Sequence, residues 1–342
     1  MVPNRVITLL IFNIPGRIFK MEKRTLRWVL AHEPIEIFIR AANRFARVIS
    51  EKTDGAINIE ILSCDEYAKK YHNIDQVNTQ YRYELMKHLE EGQLEMTQLY
   101  TTTLGSQYHK DLLALDMPFL FNDHDHVARV LDGEIGDNLR DGFANKTNAQ
   151  PLCFTYSGGF RVLPSSKKIE NLSELAGEKV RTGSEVSKET FKVLGCDVVG
   201  DLLIEEIGAA IGDGRIVAGE STYPRLYGSE QTIQPSKTAK AVINTEHSLF
   251  LTTVLINKDL WASFDAELKE AFLEAAQEAA LEERREALLD IEKNKARLES
   301  DNVDVVYLSQ ADMEDFRAKT ESVYDTLDHM FADGLVNKIK EA

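Results

Sequence analysis

Apolar positions along the first hundred residues switch between two periods. Residues 25–31 (TLRWVLA) read as a strand, and residues 35–51 set Ile35, Phe38, Ile39, Ala42, Phe45, Ala46 and Ile49 at helical spacing, which predicts a βα unit. A second strand is predicted over 56–62 after the Thr53-Asp54-Gly55 turn, then a helix over 74–91 and a third strand over 94–100. A second series follows, with strands at 150–156, 179–182, 196–199 and 216–219 and helices at 187–194 and 204–211. One helical turn at 172–175, capped by Asn171 or Ser173 and stopped by Gly177, belongs to this series. Such alternation implies an α/β fold with largely parallel sheets whose ligands sit beyond the strand ends.

The C-terminal third is different. Residues 236–333 hold neither Gly nor Pro, and 265–300 is a nearly unbroken run of good helix formers. A helix of that length spans ~54 Å, more than a small domain is wide, so it must cross more than one unit or project from it. Its alanine-rich half, 266–280, suits close packing, and its apolar stripe through Leu288, Leu289 and Ile291 keeps no clean heptad.

With 56 acidic against 40 basic residues, the 342-residue chain carries a formal charge of −16. No basic stripe with interleaved aromatics stands out, so a nucleic-acid role is not expected. Residues 208–219 are glycine-rich but lack the Lys-Ser/Thr of a phosphate loop and the spacing of a dinucleotide fingerprint. No cofactor is expected. Cys64, Cys153 and Cys196 form no paired motif and read as buried small apolar residues. His124 and His126 flank Asp125 at a spacing poor for chelation on a helix, so they read as solvated cap residues after Asn122 or Asp123 and no metal is expected. Residues 1–20 read as a short signal-like segment without an Ala-x-Ala site, the alternative being a start at Met21 and a cytosolic product.

The chemistry concentrates in residues 158–183, GGFRVLPSSKKIENLSELAGEKVRTG. This stretch places Arg161 and Arg181 at strand edges, and two guanidinium forks converging on one cleft would clamp a carboxylate. Glu220 reads as a group that orients an arginine or a turn, and His247 as hinge packing.

Several segments in order, LLALDMPFLFNDHDHVARVLDG, GGFRVLPSSKKIENLSELAGEKVR, VLGCDVV and INTEHSLFLTTVLINKDLW, resemble the substrate-binding proteins of tripartite ATP-independent periplasmic (TRAP) transporters of the four-carbon-dicarboxylate type. The resemblance covers nearly all of the chain from about residue 25. It implies a periplasmic-binding-protein-like fold, two α/β lobes hinged as a clamshell with a long helix spanning both. Lobe I would comprise 25–154 and 247–286, and lobe II 155–246 and 287–340, after a signal-like or disordered segment 1–24.

Arg181 is then implied as the partner of the ligand carboxylate and Arg161 as a second cationic contact. Ser221, in the loop 218–224 that replaces the family's Asp-Gly-x-Glu-Asn-Pro, is implied as a polar contact, with Glu220, Tyr100 and His32 as further candidates. The family's proline after Arg181 is replaced by Thr182-Gly183, its aromatic after the Glu of the following helix by Gly208, and its Leu-Gly turn after the second strand by SCDEYAKKYHNID over 63–75. The implied function is capture of a small organic carboxylate, a sugar acid or a dicarboxylate, and its delivery to TRAP membrane subunits by a periplasmic monomer. A ligand sensor uncoupled from transport, or an enzyme acting on an anion in the same cleft, stays open at this point.

Overall fold

The computed structural model describes residues 23–31, 36–227 and 233–342, so the signal-like segment and His32 lie outside the described residues. Eleven strands among them form two sheets. The first has the order β2-β1-β3-β10-β4, with β1 at Arg24–Leu30, β2 at Ile57–Ser63, β3 at Met96–Tyr100, β4 at Ala149–Phe160 and β10 at Leu249–Asn257. The second has the order β11-β9-β5-β8-β6-β7, with β5 at Leu163–Ser165, β6 at Lys179–Arg181, β7 at Asp197–Val199, β8 at Ala218–Gly219, β9 at Ala241–Asn244 and β11 at Asp304–Tyr307.

Each sheet is parallel except for one strand. β10 runs against β3 and β4, and β5 runs against β8 and β9. Both reversed strands are entered where the chain passes directly from a strand of one sheet to a strand of the other, from β4 to β5 and from β9 to β10. A chain that leaves one sheet at the gap enters the other from the gap, so it must oppose strands whose C-terminal ends face that gap. β1, β3, β6 and β8 therefore all deliver their last residues to the space between the lobes.

These two strand-to-strand crossings lie side by side. Arg161 N donates to Ser248 O at 2.8 Å and Glu246 N donates to Arg161 O at 3.1 Å, which ties the outgoing chain to the returning one. Residue 161 is thus a hinge residue as well as a cation.

Helix Glu36–Lys52 buries Ile37, Phe38, Ala41, Ala42, Phe45, Val48 and Ile49, a stripe at helical spacing. Phe45 meets Trp28 edge to face at 5.2 Å and Phe272 of the long helix at 5.5 Å. That long helix runs Ala266–Ser300, 35 residues, with Asp265 as its N-cap. Ala275, Ala276, Ala279 and Ala280 sit in the first core, whereas Leu298 joins Val162, Ile207 and Val242 in the second lobe, so the helix crosses both.

Two expectations change. Residues 64–72 are helical, a turn at Cys64–Tyr67 followed by a wider one at Ala68–His72 that ends on the left-handed Asn73. Ser63 and Glu66 form a reciprocal capping box there, a signal legible in the S-C-D-E sequence. The following helix begins only at Thr79, behind the Asn78 cap. In addition, the expected division at 154/155 falls within β4, which pairs with β10 as far as Phe160. Leu327, Phe331, Val336 and Ile339 pack into the first core, because the chain returns to that lobe after the helix Gln310–Leu327.

Candidate functional site

The hinge carries a buried charge network. Arg161, Asp116, Glu220 and His247 are 3%, 4%, 2% and 1% exposed. Arg161 Nη2 donates to Asp116 Oδ1 at 2.8 Å, and its Nε lies 3.7 Å from Glu220 Oε1. The guanidinium also lies 3.9 Å over the Phe250 ring. Asp116 Oδ2 accepts from Ser184, the N-cap of helix Glu185–Lys192. Glu220 accepts from Gly183 N at 3.0 Å and from His247 Nε2 at 3.1 Å. Burial alone would raise the Glu220 carboxyl, but Arg161, His247 and the Gly183 amide outweigh it and hold the group at about 2. Glu220 therefore orients both an arginine and a turn.

Arg181 ends β6 at the gap and is only partly buried. Its Nε donates to Leu202 O at 3.0 Å. Among the described residues no carboxylate lies within ion-pairing distance of this guanidinium. Burial lowers its pKa, and Arg161 and Arg225 lower it further, while Glu220 only partly compensates. It stays charged, because arginine does not deprotonate in proteins. A carboxylate placed there would relieve a cost that the protein does not itself relieve.

Tyr100, the last residue of β3, stacks on Phe250 with centroids 4.6 Å apart and accepts from Arg225 Nη1 at 2.5 Å. Ser221 is held by its backbone in a two-way bridge to Val162. Gly208 lies on the short helix Ile207–Gly212, whose Ile207 covers Gly219. The two nitrogens of His247 are used by Glu220 and, at 2.8 Å, by Thr245 Oγ1, so the imidazole does not activate Ser221. Ser221, His247 and Glu220 thus lack the nucleophile-to-base contact that acyl transfer requires. His124 Nδ1 instead meets Tyr156 Oη at 2.8 Å, and His126 Nε2 meets Ile339 O at 2.6 Å.

Sequence reasoning missed Arg225, Asp116 and Phe250. Arg225 is 1% exposed and follows Tyr223-Pro224 in the loop after β8; nothing in its local pattern separates it from a surface arginine. A bulge positions it. The pairing of β4 with β10 slips beside Gly158 and Gly159, both at positive φ, and brings Ser157 Oγ to 3.4 Å from Arg225 Nη1 and Ser157 O to 2.8 Å from Thr222 Oγ1. A Cβ on Gly158 would stand 2.3 Å from Thr222 Oγ1 at φ +96°. Gly158→Ala is therefore expected to cost about 1–3 kcal/mol from crowding alone, read as a lower urea midpoint at unchanged slope.

Three comparisons bear on this arrangement. A family model described as bacterial extracellular solute-binding protein, family 7, matches residues 31–331. A solute-binding protein of Chromohalobacter salexigens is 24% identical over 309 residues, covering 89% of this chain and 85% of its own. A TRAP periplasmic solute-binding protein from Ochrobactrum anthropi, its C-terminus bound in its ligand-binding pocket, matches with a TM-score of 0.80 at 22% identity over 93% of each chain. Another, from a Polaromonas species and bound to D-erythronate, matches with a TM-score of 0.79 at 22% identity over 93% of this chain and 98% of its own. With a family match over most of its length and two hinged α/β lobes joined by one long helix, the chain belongs to family 7 of the bacterial extracellular solute-binding proteins.

Proposed function

We propose that the protein captures a small organic carboxylate in the gap between its lobes, pairs it with Arg181, and hands it to the membrane subunits of a TRAP transporter. The observation that carries this reading is the contrast between the two arginines. Arg161 is already neutralised by Asp116 and Glu220, whereas Arg181 stands at a strand end facing the gap with no carboxylate partner among the described residues. D-erythronate and a chain terminus, the groups bound in the two solved relatives, both present a carboxylate. Tyr100, Ser221 and His32 belong to this proposal as polar contacts, and Arg161 as the cation that holds the hinge.

The ligand shifts the hinge by its differential affinity for the closed state. Transport places the protein outside the cytoplasmic membrane, in keeping with the family description. No helix among the described residues is long and apolar enough to cross a membrane.

A thermal-shift screen of sugar acids and dicarboxylates tests the reading. An acid present at a thousandfold its Kd is expected to add ~4 kcal/mol of stability, with no shift from the corresponding amides. Stabilisation by the amides as strongly as by the acids, or by no acid at all, would defeat carboxylate capture.

A further inference from the structure

The long helix turns one acid toward the first sheet. Glu283 is fully buried, and the polar groups it meets are neutral. Gln98 of β3 brings its Nε2 to 3.1 and 3.3 Å from the two carboxyl oxygens. The same nitrogen lies 2.9 Å from Thr155 Oγ1 of β4 and 3.0 Å from Thr252 Oγ1 of β10, and these hydroxyls are 2.5 Å apart. Three adjacent strands and the helix thus meet at one carboxyl group.

The charged groups around it are engaged elsewhere. Arg284 forks onto Asp132 at 2.6 and 2.9 Å and reaches Phe154 O at 3.0 Å. Arg40 of the first helix pairs with Asp290 at 2.6 Å and Glu286 at 3.1 Å. Arg140 pairs with Asp137 and lies over the Phe154 ring. Cys153, on β4, stays a thiol because burial pushes it up to about 12.

Glu283 is 0% exposed and the nearest cations are paired elsewhere, and this sets its state. The Gln98 amide nitrogen has two protons and faces four oxygens; the two threonine hydroxyls add two more, one spent on the other hydroxyl and one turned by Thr155 toward the carboxyl. An ionised carboxylate would add only acceptors and would be a buried charge without a cation. A carboxylic acid keeps the carboxyl within this neutral cluster and removes that charge.

We propose that Glu283 is a neutral carboxylic acid that locks the long helix to β3, β10 and β4, and that its ionisation in mild alkali loosens this lock. The lobe-spanning helix is thereby an alkali-sensitive element of the fold. Burial is the largest influence and raises the titration to about 8, with Gln98 and Thr155 lowering it in part. Because the folded-state value lies above the ordinary 4.5, the stability tied to the proton is fully present below about 4.5, erodes as the pH climbs to about 8, and is level beyond.

Carbon-13 NMR of the full chain labelled at the glutamate carboxyls is expected to show one resonance titrating near 8, absent from Glu283→Gln. Between about pH 5 and about pH 9 the melting temperature of the wild type should fall by several degrees relative to this variant. Ordinary titration of every glutamate, or a melting difference independent of pH, overturns the proposal. If Glu283→Gln does not fold, the wild-type NMR titration decides alone. Neither readout involves a ligand, so a negative result leaves carboxylate capture standing.

Discussion

Arg181→Ala is expected to weaken binding of the acid identified by thermal shift by about 2–5 kcal/mol, on the order of 30- to several-thousand-fold in Kd. The magnitude follows from position. Arg181 sits at the C-terminal end of β6, is partly desolvated, and receives only remote compensation from Glu220. A bound carboxylate would exchange two charge-assisted hydrogen bonds for that uncompensated burial, and a planar fork makes the pair directional. Arg181→Lys should fall between wild type and alanine, because an ammonium keeps the charge and loses the fork. The free protein should unfold at an unchanged or slightly higher temperature, since β6 pairs with β7 and β8 through its backbone and the substitution removes a costly cation. Calorimetric titration checks both variants. An unaltered Kd in Arg181→Ala would remove the residue from the site and the proposed contact with it.

Arg161→Ala should act on stability first, at about 3–5 kcal/mol, because it strands Asp116 and Glu220 in the interior without their cation. The pH dependence gives an independent handle. Glu220 is held down to about 2 against an ordinary 4.5, so its contribution is present above about 4.5 and is lost as the pH falls toward 2. That difference corresponds to about 3 kcal/mol, the same order as the cost of removing the cation. Urea unfolding should therefore separate wild type and Arg161→Ala widely at neutral pH and much less near pH 3. Asp116→Asn combined with Arg161→Ala should recover part of the loss, since the two groups are coupled through one hydrogen bond. A gap between wild type and Arg161→Ala that does not narrow in acid would show that the network does not hold the hinge electrostatically.

Much of this architecture is legible in local pattern. The stripe of 35–51, the Asp265 cap with the run behind it, and the Ser184 and Asn171 caps follow from side-chain periodicity and short-range hydrogen bonding. The capping box at Ser63 and Glu66 is equally legible. The site was half legible. Arg161 and Arg181 stand in quotable motifs, but nothing local tells that one is already paired and the other is not.

The sequence by itself determined the first helix, the long helix of 266–300 and several shorter ones, most of the strands, the acidic surface and the presence of two arginines at strand ends, because each depends on residues a few positions apart. Only the tertiary structure decided which strands reverse, where Asp116, Glu220 and Arg225 come to lie, and which arginine has no carboxylate partner among the described residues. Those facts join residues scores of positions apart. Electrostatic pairing depends on distance in space and on desolvation, and neither exists until two sheets have closed around the crossing chains.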